Sequence, residues 1–203
     1  MLVKSTKRAR REQLLQCAKA VFAQRGYHAA GVADIIEIAG VARGTFYGYF
    51  DGKRQIFDQI LDDLLEDIDR RIAVIETGPL APPPLEQLRA NLERVLTLLL
   101  NDRNLAEILL HQAEGLDEAC RHKLDRFYQS VLGQIESALH MGMSMGLVRA
   151  CEPRVTAAAV LGAIQGIVAQ AARQEPGPEI GGIVDQVLAF GLHGLLKPLP
   201  HGS

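Results

Sequence analysis

The sequence predicts an all-α protein of about nine helices, and three observations predict it. Apolar residues recur at spacings of three and four along most of the chain, which is the period of one helix face, while no stretch alternates as a half-buried strand does. Ala, Leu and Ile dominate, aromatic residues make up 5% and Trp is absent, a composition that favours helix. Gly- and Pro-containing breakers divide the periodic stretches into pieces of helix length. With 203 residues, 48% of them hydrophobic and 23% charged, the chain can form one or two domains around a sizeable core.

Taken in order, Leu14, Leu15, Ala18, Val21 and Phe22 place a first amphipathic helix over about Thr6 to Gln24, with Gly26 as its C′ residue. Val32 to Ala39 reads as a short second helix, with Gly31 a permissive but weak N-cap. Gly40 interrupts it, and Ala42 to Phe50 reads as the third. Asp51 caps a fourth helix that runs towards Glu76, with Ile56, Ile60, Leu61, Leu64, Leu65, Ile68 and Ile72 on its apolar side. Thr77 to Pro84 is the clearest breaker in the chain. Leu85 to Leu100, Asn104 to Ala113 and Leu116 to Met145 supply helices five to seven, the sixth ending near Gly115. On the seventh, Leu124, Phe127, Tyr128, Val131, Ile135 and Leu139 share a face. Gly146 and Pro153 bracket a loop. Pro153 to Arg173 and Ile180 to Leu196 are helices eight and nine, parted by Pro176-Gly177-Pro178.

The net charge of −2 hides an asymmetry. Residues 1–54 carry ten basic and four acidic side chains, a net +6, which leaves −8 for the remainder. A basic end that meets a polyanion and an acidic body that does not would be built this way. A solvated first helix explains part of the excess, since Lys7, Arg8, Arg10 and Arg11 cluster there. Three cysteines without a CxxC pair point to reduced thiols, and the start of the chain lacks the apolar stretch of a signal peptide, so a cytoplasmic protein is expected. Val155 to Ala172 is free of charge and as long as a membrane span, but it is rich in small residues and carries Thr156, Gln165 and Gln170. A helix buried on both sides by protein is the better reading, and no membrane association is expected.

Helices two and three have the lengths and the tight connection of a helix-turn-helix, whose second helix enters the DNA major groove. Gly40 supplies the residue that tolerates positive φ in the turn. Ile35, Ala39, Val41 and Phe46 can form the shared core. That leaves Ala42, Arg43, Gly44, Thr45, Tyr47, Gly48 and Tyr49 outward on the third helix. Small residues let the backbone approach the groove, and Arg43 can offer two hydrogen bonds to a guanine edge. Tyr47, Tyr49 and Lys53 can reach phosphates, which fix register without reading sequence. Tyr47, beside Phe46 and Phe50, fits a core position as well. Lys7, Arg8, Arg10 and Arg11 add electrostatic attraction.

The stretch from Gly26-Tyr27 through Asp34-Ile35, Ala39-Gly40-Val41, Gly44-Thr45-Phe46-Tyr47 and Tyr49-Phe50 to Lys53 resembles the DNA-binding domain of TetR-family regulators. The resemblance covers roughly residues 8–57 and implies an all-α homodimer that binds a double-stranded DNA operator. It divides the chain into a DNA-binding domain over residues 1–53 and a helical ligand-binding and dimerisation domain over residues 54–203. It implies that Gly31, Val32, Arg43, Thr45, Tyr47, Tyr49 and Lys53 touch DNA. Three departures stand out: Ala30 and Gly31 replace the usual Thr or Ser and remove a hydroxyl cap, Ile36 replaces a small Ala, and Gly48 is smaller than the residue often found there.

Helices eight and nine are apolar on more than one face and carry Gly162, Gly166, Gly191 and Gly194 among Ala, Ile, Val and Leu. Such a surface needs two partners, so a four-helix dimer interface through residues 153–173 and 180–196 is expected. The resemblance also implies a small, mostly apolar effector. Leu61, Leu65, Ile68, Leu99, His111, Gln112, Phe127, Tyr128 and Ile135 are the candidate pocket lining, and each also fits a plain core position. Glu107/His111, Glu118/His122 and Glu136/His140 sit at helical i,i+4 spacing, which serves a surface pair as well as a metal, and no ExxH motif occurs. No metal and no cofactor are expected. A regulator released from a palindromic operator by its effector is the leading reading. A regulator without an effector is the alternative. A helical enzyme or metal carrier lacks a nucleophile–base pair, a phosphate loop or a ligand cluster in its support.

Overall fold

The computed structural model describes residues 2–111, 118–174 and 179–193. Among the described residues there are helices and no strands: α1 (Leu2–Ala29), α2 (Val32–Ala39), α3 (Arg43–Tyr47), α4 (Lys53–Arg71), α5 (Pro84–Asn101), α6 (Arg103–His111), α7 (Glu118–Ser144), α8 (Pro153–Ala171) and α9 (Ile180–His193). The all-α expectation and the helix count hold. The Pro176–Pro178 break, Gln112, Gly115 and the end of helix nine at Leu196 lie outside the described residues.

The chain divides into two compact units, one formed by residues 1–70 and 101–127, the other by residues 71–100 and 128–203. In the first unit, α1 packs on α2 and α6, and α2 on α3. Leu14, Ala18, Val21 and Phe22 of α1, Ile35 of α2, Phe46 of α3 and Ile56, Phe57 and Leu61 of α4 are almost wholly buried. Phe22 and Phe57 meet edge to face at 5.1 Å, a geometry their ring quadrupoles favour. Lys19, on the buried side of α1, is only 9% exposed and pairs with Asp102 at 2.8 Å. Beyond α6, Lys123 of α7 bridges Asp58 and Asp62 of α4 at 3.0 and 2.7 Å. Burial works against the Lys123 ammonium, but the two carboxylates outweigh it and its pKa rises above the usual lysine value.

α8 ends at Ala171, two residues short of the expected Arg173, and three other helix ends differ from the sequence expectation for a visible reason. Gly26 does not end α1. It adopts φ 75°, ψ 160°, and one further turn follows to Ala29, closed by the Ala30 N–H on the Gly26 carbonyl at 3.2 Å. The helix is kinked there because only glycine takes that φ without strain. α3 stops at Tyr47 rather than Phe50, since Gly48 propagates a helix poorly and the chain leaves through the bond from Tyr49 N–H to Phe46 C=O at 2.9 Å.

α4 stops at Arg71, although the apolar pattern runs on through Ile72 towards Glu76. In the second unit, Asn91 of α5 accepts from the Ala73 N–H at 2.9 Å and donates to the Ala73 C=O at 2.7 Å. Gln87, one turn earlier, does the same for Glu76 at 2.8 Å each way. Two side-chain amides thus satisfy backbone groups that a helix would otherwise use, and residues 73–76 stay non-helical.

The second unit also joins α5 to α9 through Arg89 and Asp185 at 3.1 Å, and packs α8 on α9. Two-sided burial of α8 is not met within the single chain. By length and mean hydropathy (1.3) α8 could span a membrane, and 17% of that window is buried, through Ala157, Val168 and Ala171. Val155 is 67% and Phe190 of α9 51% exposed, and Gly162, Gly166 and Gly191 face open space.

Candidate nucleic-acid interface

α2 spans Val32–Ala39, the range its apolar periodicity predicts. Gly40 closes it at φ 61°, ψ 36°, the left-handed conformation the turn requires. The Gln13 side chain of α1 donates to the Ala39 carbonyl at 2.9 Å and covers one of the last open acceptors. At the other end Gly31 offers no side-chain cap. Asp34 takes that role in part by accepting from the Gly31 N–H at 2.7 Å, and it pairs with Arg25 at 2.6 Å. The carboxylate also sits in the first turn, where the helix dipole favours negative charge.

Ile35, Ala39 and Phe46 are buried between the two helices, as expected, while Val41 is half-buried. The opposite side of α3 is open. Ala42, Arg43, Gly44 and Gly48 are exposed, Tyr47 is 44% exposed, and Thr45 and Tyr49 are half-buried. Tyr47 is therefore not a core residue. Its ring stands edge-on to Phe46 at 5.4 Å, and the Arg43 guanidinium lies 5.6 Å from its centroid. A cation held over a ring loses some of its freedom before any partner arrives. A Cβ built on Gly44 would meet nothing within 4 Å, so the α3 backbone can be approached there. Between α2 and α3 opens a cleft of about 270 Å³ lined by Val32, Ala33, Ile36, Glu37, Arg43 and Tyr47. Ile36, the bulky departure, is a wall of this cleft beside Arg43.

The basic residues of the head divide into two groups. Lys7, Arg8 and Arg10 are exposed on α1, and Arg11 lies 5.3 Å from the centre of the Phe50 ring. Lys19 and Arg25 are neutralised by Asp102 and Asp34. Lys53 donates to the backbone carbonyls of Tyr27 and His28 at 2.7 and 3.2 Å. A count of charges along the sequence sees none of these pairings. The Asp34 contact with Gly31 was readable from its three-residue offset; the Lys19, Gln13 and Lys53 contacts span 25 residues or more and leave no local signal.

The candidate effector residues fall in both units. Leu61 and Ile68 are buried and Leu65 and Phe127 half-buried in the first, while Leu99 is buried and Tyr128 and Ile135 are half-buried in the second. Burial pushes the Tyr128 phenol upward, opposed by a hydrogen bond with Gln165. The His111 side chain and Gln112 lie outside the described residues. His122 and Glu118 form an exposed pair at 3.6 Å, and no group of three metal-ligating side chains occurs among the described residues.

Residues 14–60 match the family described as "Bacterial regulatory proteins, tetR family", and residues 81–169 match "Tetracyclin repressor-like, C-terminal domain". The HTH-type transcriptional regulator YhgD of Bacillus subtilis is 25% identical over 90% of this chain and 96% of its own length. The ketosteroid transcriptional regulator KstR2 of Mycobacterium tuberculosis superposes with a TM-score of 0.79 at 24% identity, over 93% of this chain and 95% of that one. The regulator FadR of Bacillus subtilis, solved with stearoyl-CoA, superposes with a TM-score of 0.72 at 24% identity, over 91% and 99%. Both family descriptions fall in order along one chain and between them cover two thirds of it. The helix-turn-helix they imply is the one built by Gly40, so the protein belongs to the TetR family of DNA-binding transcriptional regulators.

Proposed function

We propose that this protein is a homodimeric repressor that binds a palindromic operator and leaves it when a small, mostly apolar effector binds. The observation that carries the proposal is the open face of α3, where Arg43 and Tyr47 project beside a backbone clear at Gly44. Arg43 is assigned direct readout of a guanine. Gly31 and Val32 at the start of α2, with Ala42, Gly44, Thr45, Gly48 and Tyr49 around Arg43, complete the contact surface. Their polar groups and exposed backbone face phosphates and groove walls. Lys7, Arg8 and Arg10 supply sequence-independent attraction.

The exposed apolar surface of α8 and α9 supports a second copy as the covering partner. Glycine at 162, 166 and 191 permits close helix approach. A two-fold dimer sets its heads about 34 Å apart, one turn of DNA. The effector is assigned by analogy of fold with FadR, which holds stearoyl-CoA. Leu61, Leu65 and Ile68 lie on α4, the helix that begins at the reading head, so an effector touching them would bias head position through that helix.

Selection of bound duplexes from a random pool tests this reading, repeated with Arg43→Ala. A palindrome is expected, and the variant should lose one specified base pair per half-site. A pool that yields no enriched sequence overturns the reading. So does an operator complex whose affinity is indifferent to every apolar acyl-CoA tested, for the effector half of the proposal.

A further inference from the structure

The cleft between α2 and α3 is built by three pairs of residues, each pair one helical turn apart. Val32 and Ile36, and Ala33 and Glu37, come from α2, and Arg43 and Tyr47 come from α3. Residues four apart stack on one face of a helix, so each helix turns a continuous strip towards the opening. The walls are largely apolar: the branched side chains of Val32 and Ile36, the Ala33 methyl and the Tyr47 ring. Val32 and Ile36 are half-buried, and Ala33 and Tyr47 are exposed, so this lining can be reached from outside. Arg43, the residue assigned to a guanine, stands on the rim with its guanidinium 5.6 Å from the centre of the Tyr47 ring. The cleft is therefore continuous with the reading face of α3.

Chemistry limits what duplex DNA can place there. A phosphate would be brought against apolar walls and the Glu37 carboxylate, and both disfavour an anion. The polar edge of a base would trade water for side chains that mostly cannot hydrogen-bond. In the major groove one group is apolar, the C5 methyl of thymine. An opening of about 270 Å³ admits that methyl together with the edge of the base that carries it. Ile36 offers it the broadest aliphatic surface in the lining.

We infer that this cleft is a second reading site: it takes the C5 methyl of a thymine in a base pair next to the guanine read by Arg43, with Ile36 as its specificity-determining residue. This rests on the DNA-binding reading above. Arg43 alone specifies one base pair per half-site, and the cleft adds a neighbour recognised by shape and apolar contact. Burying one methyl favours thymine over the same base without it by about fourfold in affinity per half-site.

Uracil differs from thymine only by that methyl, so it is the probe. In the operator selected from a random pool, the guanine is the position whose specification Arg43→Ala removes. Each thymine in the two flanking base pairs is then replaced singly by uracil, and affinity is measured for the full-length wild type, Ile36→Ala and Ile36→Val. One replacement should weaken the wild type about fourfold per half-site. In Ile36→Ala the same replacement should cost less than about twofold, because the wall that held the methyl is gone. Ile36→Val, a milder truncation, should fall between the two.

The scan of the wild type needs no variant to fold. Flanking pairs that hold no thymine, or a wild type indifferent to uracil at each of them, overturn the inference. So does a penalty of full size in Ile36→Ala or, should that variant not fold, in Ile36→Val, since the methyl would then rest on some other group. A wild type that selects no operator fails the DNA-binding reading itself, whereas a selected palindrome that ignores the methyl fails this inference alone.

Discussion

The Lys19–Asp102 pair offers the sharpest test of how the first unit is held together. Lys19 sits on the buried side of α1, and Asp102 immediately precedes α6. Their side chains are 11% and 28% exposed, and the charges lie 2.8 Å apart. At an effective dielectric of about 20, the gross attraction at that distance is about 6 kcal/mol, and desolvation of the two ions offsets much of it. Removing one partner of a buried pair costs about 3–5 kcal/mol, and the partial exposure of Asp102 lowers the expected figure to about 2–3 kcal/mol.

The informative variant is Asp102→Asn. It deletes the charge but keeps an acceptor for the Leu105 N–H, which Asp102 now holds at 3.3 Å. Lys19→Met removes the ammonium and keeps an unbranched chain of similar length. Thermal and urea unfolding should be compared at one fixed protein concentration, since the dimer proposed above would link stability to concentration. Asp102→Asn should lower Tm by about 4–12 °C, given about 2–4 °C per kcal/mol at this chain length. The double variant should be more stable than Asp102→Asn alone, because it leaves no stranded ammonium. A coupling energy under about 0.5 kcal/mol would refute the reasoning and make the pair a surface contact in all but geometry.

Four further outcomes are expected. Arg43→Ala should cost about 1–3 kcal/mol on the operator and relax specificity at one base pair per half-site, which a panel of single-base operator variants will show. Gly40→Ala should destabilise by about 1–2 kcal/mol in urea unfolding, because φ 61° is strained for alanine, and Gly40→Asn should restore part of the loss. Asn91→Leu should destabilise by about 1–3 kcal/mol, leaving both Ala73 backbone groups without their amide partner, with hydrogen exchange at Ala73 rising first. Tyr128 has its pKa raised by burial, so the fold favours the neutral phenol. Its contribution is complete below the unfolded tyrosine value and is lost as pH rises through the folded one. Tyr128→Phe should therefore flatten the alkaline arm of the stability–pH curve and leave the neutral region little changed.

Local signals were read well from the sequence. The bounds of α2, the left-handed Gly40 and the start of α8 at Pro153 all follow from propensity, turn chemistry and proline geometry within a few residues. What escaped was set at a distance. The end of α4 is invisible in its own apolar pattern, because Asn91 and Gln87, 18 and 11 residues downstream of their targets, take up the backbone groups of Ala73 and Glu76. The kink at Gly26 looks like a terminus until the turn after it is seen to close. The open face of α3 was legible in outline, since one exposed arginine and small neighbours are a local pattern. The destinations of Lys19, Arg25 and Lys53 were not, because a charge count carries no information about partners in space.

The amide clamp of Asn91 and Gln87 makes residues 77–83 a practical handle on the molecule. Gln87 grips the chain at Glu76 and also donates to the Pro82 carbonyl at 2.6 Å, so both ends of the intervening loop are pinned by one side chain. Leu80, at the loop's tip, is fully exposed. A loop pinned at its base tolerates added length cheaply, about 0.6 kcal/mol for each doubling. A fluorophore or an affinity tag inserted at Leu80 gives a reporter built outside the reading helices, with which the proposed operator binding and release can be tested.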